Sequence, residues 1–92
     1  MKKHIYLDYA ATTPVDSAVL EKMYPYFQTY FGNPSSMHWF GEQAAAILMQ
    51  SRDTVAQLFG VSPEEVIFTG SGTESNNLAI RSTTFYLREK HG

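Results

Sequence analysis

Apolar positions along this chain recur with a helical period over most of its length. From Asp16 onward, Val19, Leu20, Met23, Phe27, Tyr30 and Phe31 fall on one helix face. Asp16 is an N-cap candidate for that helix, and Pro25 predicts an interruption near Tyr24. Gly32-Asn33-Pro34-Ser35-Ser36 then breaks the pattern as a loop. After Gly41 a longer amphipathic helix is expected, with Ala44, Ile47, Leu48, Ser51, Val55, Leu58 and Phe59 on its apolar face. Gly60 stands where a helix C-terminal glycine belongs. Ser62-Pro63-Glu64-Glu65 combines a capping box with proline at the first helical position, which predicts one short turn.

Strand signals are few and short. Ile5-Tyr6-Leu7 is a minimal candidate, followed by an extended loop to Pro14, which biases Thr13 away from helix. Val66-Ile67-Phe68-Thr69 is β-branched and aromatic, a candidate buried strand. Gly70-Ser71-Gly72 turns the chain, and from about Glu74 a second long helix runs through Leu78, Ala79, Ser82, Phe85 and Tyr86 towards Lys90. Short elements punctuated by Gly and Pro read as one continuous piece of an α/β or α+β protein, mostly helical with one or two short strands.

Composition narrows the function. The chain has 92 residues, 43% of them hydrophobic, and a net charge of -2, an ordinary soluble composition with room for one domain at most. The charge offers nucleic acid no electrostatic attraction. No apolar run approaches the length of a membrane span or of a signal-peptide core, and Asp8 interrupts the opening run, so a cytoplasmic protein is expected. There is no cysteine, which removes a disulfide framework, a thiolate metal site and a thiol nucleophile from this chain.

The most chemically suggestive stretch is Phe68 to Asn76. A strand ends, two glycines turn the backbone, and a helix opens with unpaired N–H groups that favour an anion. Ser71 and Thr73 place hydroxyls beside that position. The pattern is neither a Walker motif nor a full dinucleotide fingerprint. Taken by itself it reads equally well as a purely structural turn.

Three segments carry a family resemblance. Ile5-Tyr6-Leu7-Asp8-Tyr9-Ala10-Ala11-Thr12-Thr13-Pro14 resembles the opening of the cysteine desulfurases, fold-type-I pyridoxal-phosphate enzymes of the class V aminotransferase family. Phe31 to Gly41 and Ile67 to Ile80 resemble two further signatures of the same group, in family order and at family-like intervals. The resemblance covers essentially the whole chain. It implies the N-terminal fragment of a fold-type-I transferase, with an arm and helices over 1–60 and the start of the large sheet domain over 61–92, together not a complete domain. It also implies pyridoxal 5'-phosphate as cofactor, held at its phosphate by Gly72 and Thr73, with L-cysteine as substrate and L-alanine and an enzyme persulfide as products. The sulfur of such enzymes serves iron–sulfur cluster assembly or thiolation of tRNA.

The sequence departs from the family in two ways. Many relatives read Thr-Ser-Gly-Ala-Thr-Glu where this chain reads Thr69-Gly70-Ser71-Gly72-Thr73-Glu74. More consequentially, the family's Schiff-base lysine and catalytic cysteine have no counterpart here. Lys2, Lys3, Lys22 and Lys90 lie near a terminus or on a helix's polar side. No catalytic residue is therefore assigned, and the chain is expected to be inactive alone. Its expected partners are the remainder of the enzyme, in the same or a separate chain, and a second copy in a homodimer, with neither nucleic acid nor membrane. The alternatives are a non-catalytic interaction fragment or remnant and another pyridoxal-phosphate lyase or transaminase, such as a selenocysteine lyase. Glu74 and Ser75 read as helix-start residues, and His38 as a structural loop histidine or a residue lining the substrate channel. Ala11, Thr12, Asn33 and Ser35 are expected to shape a pocket rim or dimer contact.

Overall fold

A computed structural model describes residues 1–91. Four helices, α1 (Ser17–Met23), α2 (Pro25–Gln28), α3 (Trp39–Phe59) and α4 (Gly72–His91), account for most of the chain, with a 3-10 turn over Pro63–Glu65. Two compact units, Met1–Gln50 and Ser51–Gly92, divide it within α3.

In the first unit, Tyr6 organises the arm. Its hydroxyl lies 2.9 Å from the Asp8 carbonyl and 3.0 Å from that of Thr12, and its ring meets Tyr9 edge-on at 5.2 Å. The Asp16 carboxylate caps α1 by accepting from the Ala18 N–H at 2.8 Å. The expected interruption falls at Tyr24, and Pro25 opens α2, where its missing N–H costs no helical bond. That second helix closes at Gln28, short of the expected Phe31, because the N–H groups of Thr29 and Tyr30 both turn back to the Pro25 carbonyl.

The long helix α3 starts two residues before Gly41. His38 supplies the reason. Its Nδ1 accepts from the Gly41 N–H at 3.2 Å, and its carbonyl accepts from Glu42 at 2.9 Å. An imidazole thus does the capping that is usually left to Ser, Thr, Asp or Asn. An acceptor at Nδ1 leaves the proton of the neutral ring on Nε2. Glycine is required nearby by close approach. A Cβ on Gly32 would lie 2.1 Å from the Phe40 carbonyl oxygen, and one on Gly41 would lie 2.0 Å from that of Ser36.

In the second unit, α3 ends in a Schellman arrangement. Gly60 takes φ 66°, its N–H reaches the Gln57 carbonyl, and the Val61 N–H reaches that of Ala56. In the following turn the Glu65 carboxylate accepts from the Ser62 N–H at 2.8 Å, and the Ser62 hydroxyl donates to Glu64 at 2.7 Å. This bond, with a backbone one, holds the Glu64 carboxyl below its ordinary value.

Two sequence expectations need correction. Neither Ile5–Leu7 nor Val66–Thr69 is a strand, and no strand occurs among the described residues. Val66 is extended, at φ -94° and ψ 119°, but a strand needs a neighbour to complete its ladder, and none lies within the described chain. The apolar face of α3 also differs. Its sheltered positions in this unit are Arg52, Val55 and Ala56, while Leu58 and Phe59 stay 80% and 77% exposed. Nothing described packs on the last turn, whereas the methylene stem of Arg52 is well suited to partial burial.

The core is correspondingly slight. Ala56 is the one fully buried apolar side chain among the described residues, and Ile5, Leu7, Phe31, Met37, Ile67, Ile80 and Phe85 are exposed. Large apolar side chains exposed in such number mark surfaces that other protein covers. No described helix is long and apolar enough to cross a membrane, and no described group of three or more His, Cys, Asp or Glu could hold a metal ion.

Candidate functional site

The structure places Gly72 and Thr73 as the first two residues of α4, one residue or two earlier than the sequence pattern located the helix start. The turn before them is tied at several points. The Thr69 and Ser75 hydroxyls lie 2.5 Å apart, and the Thr69 hydroxyl also reaches the Ser71 carbonyl at 3.1 Å. The Ser71 hydroxyl oxygen accepts from the Glu74 N–H at 3.1 Å, which makes it the N-cap. The Ser71 carbonyl accepts from the Ser75 N–H at 3.0 Å. The Glu74 carboxylate reaches back to the Gly70 N–H at 2.8 Å, a variant of the capping box. Glu74 and Ser75 therefore act locally, as helix-start residues.

These ties account for the N–H groups of Gly70, Glu74 and Ser75. Among the described residues, the Gly72 and Thr73 N–H groups and the Thr73 hydroxyl make no hydrogen bond. The Thr73 carbonyl accepts from Asn77 Nδ2 at 2.9 Å, which leaves the other side of the residue free. Space around the pair is open, since a Cβ on Gly72 would meet nothing within 4 Å. The twenty-residue α4 carries its positive dipole end here and has Arg88, Lys90 and His91 in its last turn, so both ends suit the macrodipole.

This donor set fits one phosphate group. Two adjacent backbone N–H groups and a hydroxyl can each meet an acceptor oxygen, in open space at a positive helix end. Ser71, which the sequence offered as a further donor, accepts from the Glu74 N–H through its hydroxyl oxygen and keeps its own O–H to donate. The Glu74 carboxylate sits on the Gly70 side of the turn, where it accepts from that N–H.

Sequence reasoning missed Arg52. Its guanidinium donates to the Val66 carbonyl and lies over the Phe68 ring, 5.0 Å from the centroid. The residue looks like one of many solvent-facing charges on a helix, and only a contact fourteen positions away reveals it. The capping by His38 was equally hidden. His38 and Asn33, where the Asn33 Oδ1 accepts from the Ser35 N–H at 2.9 Å, both serve the 32–41 loop itself. Ala11 and Thr12 belong to the turn on the Asp8 carbonyl, and a shallow depression beside them is lined by Tyr6, Tyr9, Thr12, Thr13 and Pro14.

Comparison with known proteins gives this geometry its context. The class-V aminotransferase family matches residues 5–91. The cysteine desulfurase IscS of Dechloromonas aromatica is 51% identical over 92 residues, and that of Dictyoglomus turgidum 47% over 90 residues. Each alignment covers 98% of this chain and 23% of the relative, so the chain spans about a quarter of the length of these proteins. A solved NifS-like protein superposes with a TM-score of 0.85 at 37% identity, over 95% of this chain and 24% of its own. The fold is that of an N-terminal portion of a fold-type-I pyridoxal-phosphate transferase, here mostly helical with no strand among the described residues. Family match, relatives and fold agree, and the chain belongs to the class-V aminotransferase family.

Proposed function

We propose that this chain is the N-terminal part of a pyridoxal-phosphate-dependent cysteine desulfurase and contributes the site that holds the cofactor's phosphate. The observation that carries this reading is the pair of free N–H groups at Gly72 and Thr73, with the Thr73 hydroxyl beside them, at the start of α4. They hold the phosphate by three hydrogen bonds and orient the group from its anionic end. When bound, pyridoxal phosphate supplies the electron sink that such desulfurases use to release sulfur from L-cysteine.

The chain contains no cysteine to receive that sulfur, and its lysines lie in the arm, on α1 and at the end of α4. The lysine and thiol of the reaction thus come from the remainder of the enzyme, in the same or a separate polypeptide. The chain is inactive alone, and its exposed apolar side chains are covered in the complete, homodimeric, cytoplasmic enzyme. Its net charge of -2 gives no reason to invoke a nucleic acid.

A chimera tests the assignment, with residues 1–91 replacing the matching quarter of the Dechloromonas aromatica relative. Affinity for pyridoxal 5'-phosphate, divided by that for pyridoxal, isolates what the phosphate contributes. Loss of one hydrogen bond to a charged group is worth about 1.5–3 kcal/mol, so Thr73→Ala should reduce this selectivity roughly 10- to 100-fold. Thr73→Ser should retain most of it. Selectivity unchanged in Thr73→Ala would remove Thr73 from the site.

A further inference from the structure

We propose that Arg52 is a positioning residue for the phosphate site, acting through the extended segment that leads into it. This inference rests on the reading of Gly72 and Thr73 given above and assigns the element that sets their place.

The segment 66–71 links the 3-10 turn to α4 without belonging to a helix. An extended segment loses on the order of 1–2 kcal/mol per residue in backbone entropy when ordered, so each specific tie contributes to its position. At its start, Arg52 supplies two. The guanidinium donates to the Val66 carbonyl, and its carbon lies 5.0 Å from the centroid of the Phe68 ring. One planar group thereby fixes both the level and the rotation of the segment.

Arg52 is itself well anchored. It is half-buried on α3, with Ala56 one turn on and only 1% exposed, and the Schellman closure at Gly60 ends the helix. At the other end of the segment, Thr69 bonds the Ser75 hydroxyl and the Ser71 carbonyl. A continuous series of contacts therefore runs from α3 through Val66 and Phe68 to Thr69 and the first turn of α4. Arg52 touches none of the phosphate donors. Its effect is to hold the turn where Gly72 and Thr73 present their N–H groups together.

The same chimera in its cofactor-loaded form tests this. Arg52→Met keeps the apolar stem and removes the donor and the planar charge. Affinities for pyridoxal 5'-phosphate and pyridoxal should separate, with the phosphate-bearing form weakened about tenfold or more and pyridoxal much less. The phosphorus NMR resonance of the bound cofactor should shift as its hydrogen bonds change. Phe68→Leu, which removes only the ring, should move both readouts the same way by a smaller amount, and it decides the question if Arg52→Met yields no folded protein. Equal weakening of both ligands, or unchanged selectivity, overturns the proposal, because a residue that merely stabilises the fold lowers both affinities together. Thr73→Ala run alongside separates the two claims. Selectivity lost there but intact in Arg52→Met and Phe68→Leu rejects only the role of Arg52, whereas selectivity intact in Thr73→Ala rejects the phosphate site itself.

Discussion

Replacing Gly41 with alanine should damage the protein more than any other glycine substitution in α3 or α4. Gly41 is buried in the first turn of α3, and an added Cβ would lie 2.0 Å from the Ser36 carbonyl oxygen and 2.8 Å from that of Asn33. Both are backbone atoms, so no rotamer change relieves the contact. Ordinary contact begins at 3.4 Å, so helix and loop must part by roughly 1.4 Å. The loop resists, since Asn33 accepts from Ser36 through its carbonyl and from Ser35 through its side chain, both at 2.9 Å. Overpacking of this kind costs about 1–3 kcal/mol, and the upper end applies where two rigid backbones meet. Alanine's better helix propensity returns about 1 kcal/mol, which leaves a net loss of about 2 kcal/mol. Gly72→Ala is the internal control. Its Cβ meets nothing within 4 Å, so only the propensity gain remains. Urea unfolding of the cofactor-free chimera, followed by circular dichroism, should show a lower midpoint for Gly41→Ala and an equal or higher one for Gly72→Ala. Equal midpoints for Gly41→Ala and the parent would refute the steric reasoning, as would a larger loss in Gly72→Ala.

Other expectations follow from the same structure. With so little apolar surface buried, the isolated chain should bind a hydrophobic dye strongly and melt without a cooperative transition, and a sharp transition in a sedimenting monomer would contradict the exposed surfaces described. Asp16→Ala removes the α1 cap and should fray that helix by about 1 kcal/mol, visible as faster amide exchange confined to residues 18–20. The Glu64 carboxyl is depressed mainly by the Ser62 hydroxyl, so its contribution to the turn is present above the ordinary glutamate range and is lost as pH falls through the depressed value. Carbon NMR titration should therefore give Glu64 a midpoint below that of a free glutamate, and Ser62→Ala should raise it.

Local chemistry was legible in the sequence wherever one residue acts on its neighbours. Asp16, Pro25, Gly60 and the Ser62–Glu65 box each behave as their positions imply, because caps, prolines and left-handed glycines are decided within a turn of chain. The strand at Val66–Thr69 was misjudged for the opposite reason. Its β-branched and aromatic residues state a preference that only a neighbouring strand can satisfy. The outward position of Leu58 and Phe59 has the same origin, since a helix face is buried only by something that packs on it. Tyr6, His38 and Arg52 escaped notice because their roles depend on partners chosen by folding. A histidine that caps and an arginine that stems a loop carry no mark distinguishing them from exposed ones.

The central claim is that this chain completes a cysteine desulfurase to which it brings the phosphate site and no reacting group. The most direct test is alanine formation from L-cysteine, measured with pyridoxal phosphate present, for the isolated chain and for the chimera. The isolated chain should form none, and the chimera should form alanine at a rate comparable with the intact Dechloromonas aromatica relative. Alanine from the isolated chain, or a folded, cofactor-loaded chimera that forms none, would contradict the claim.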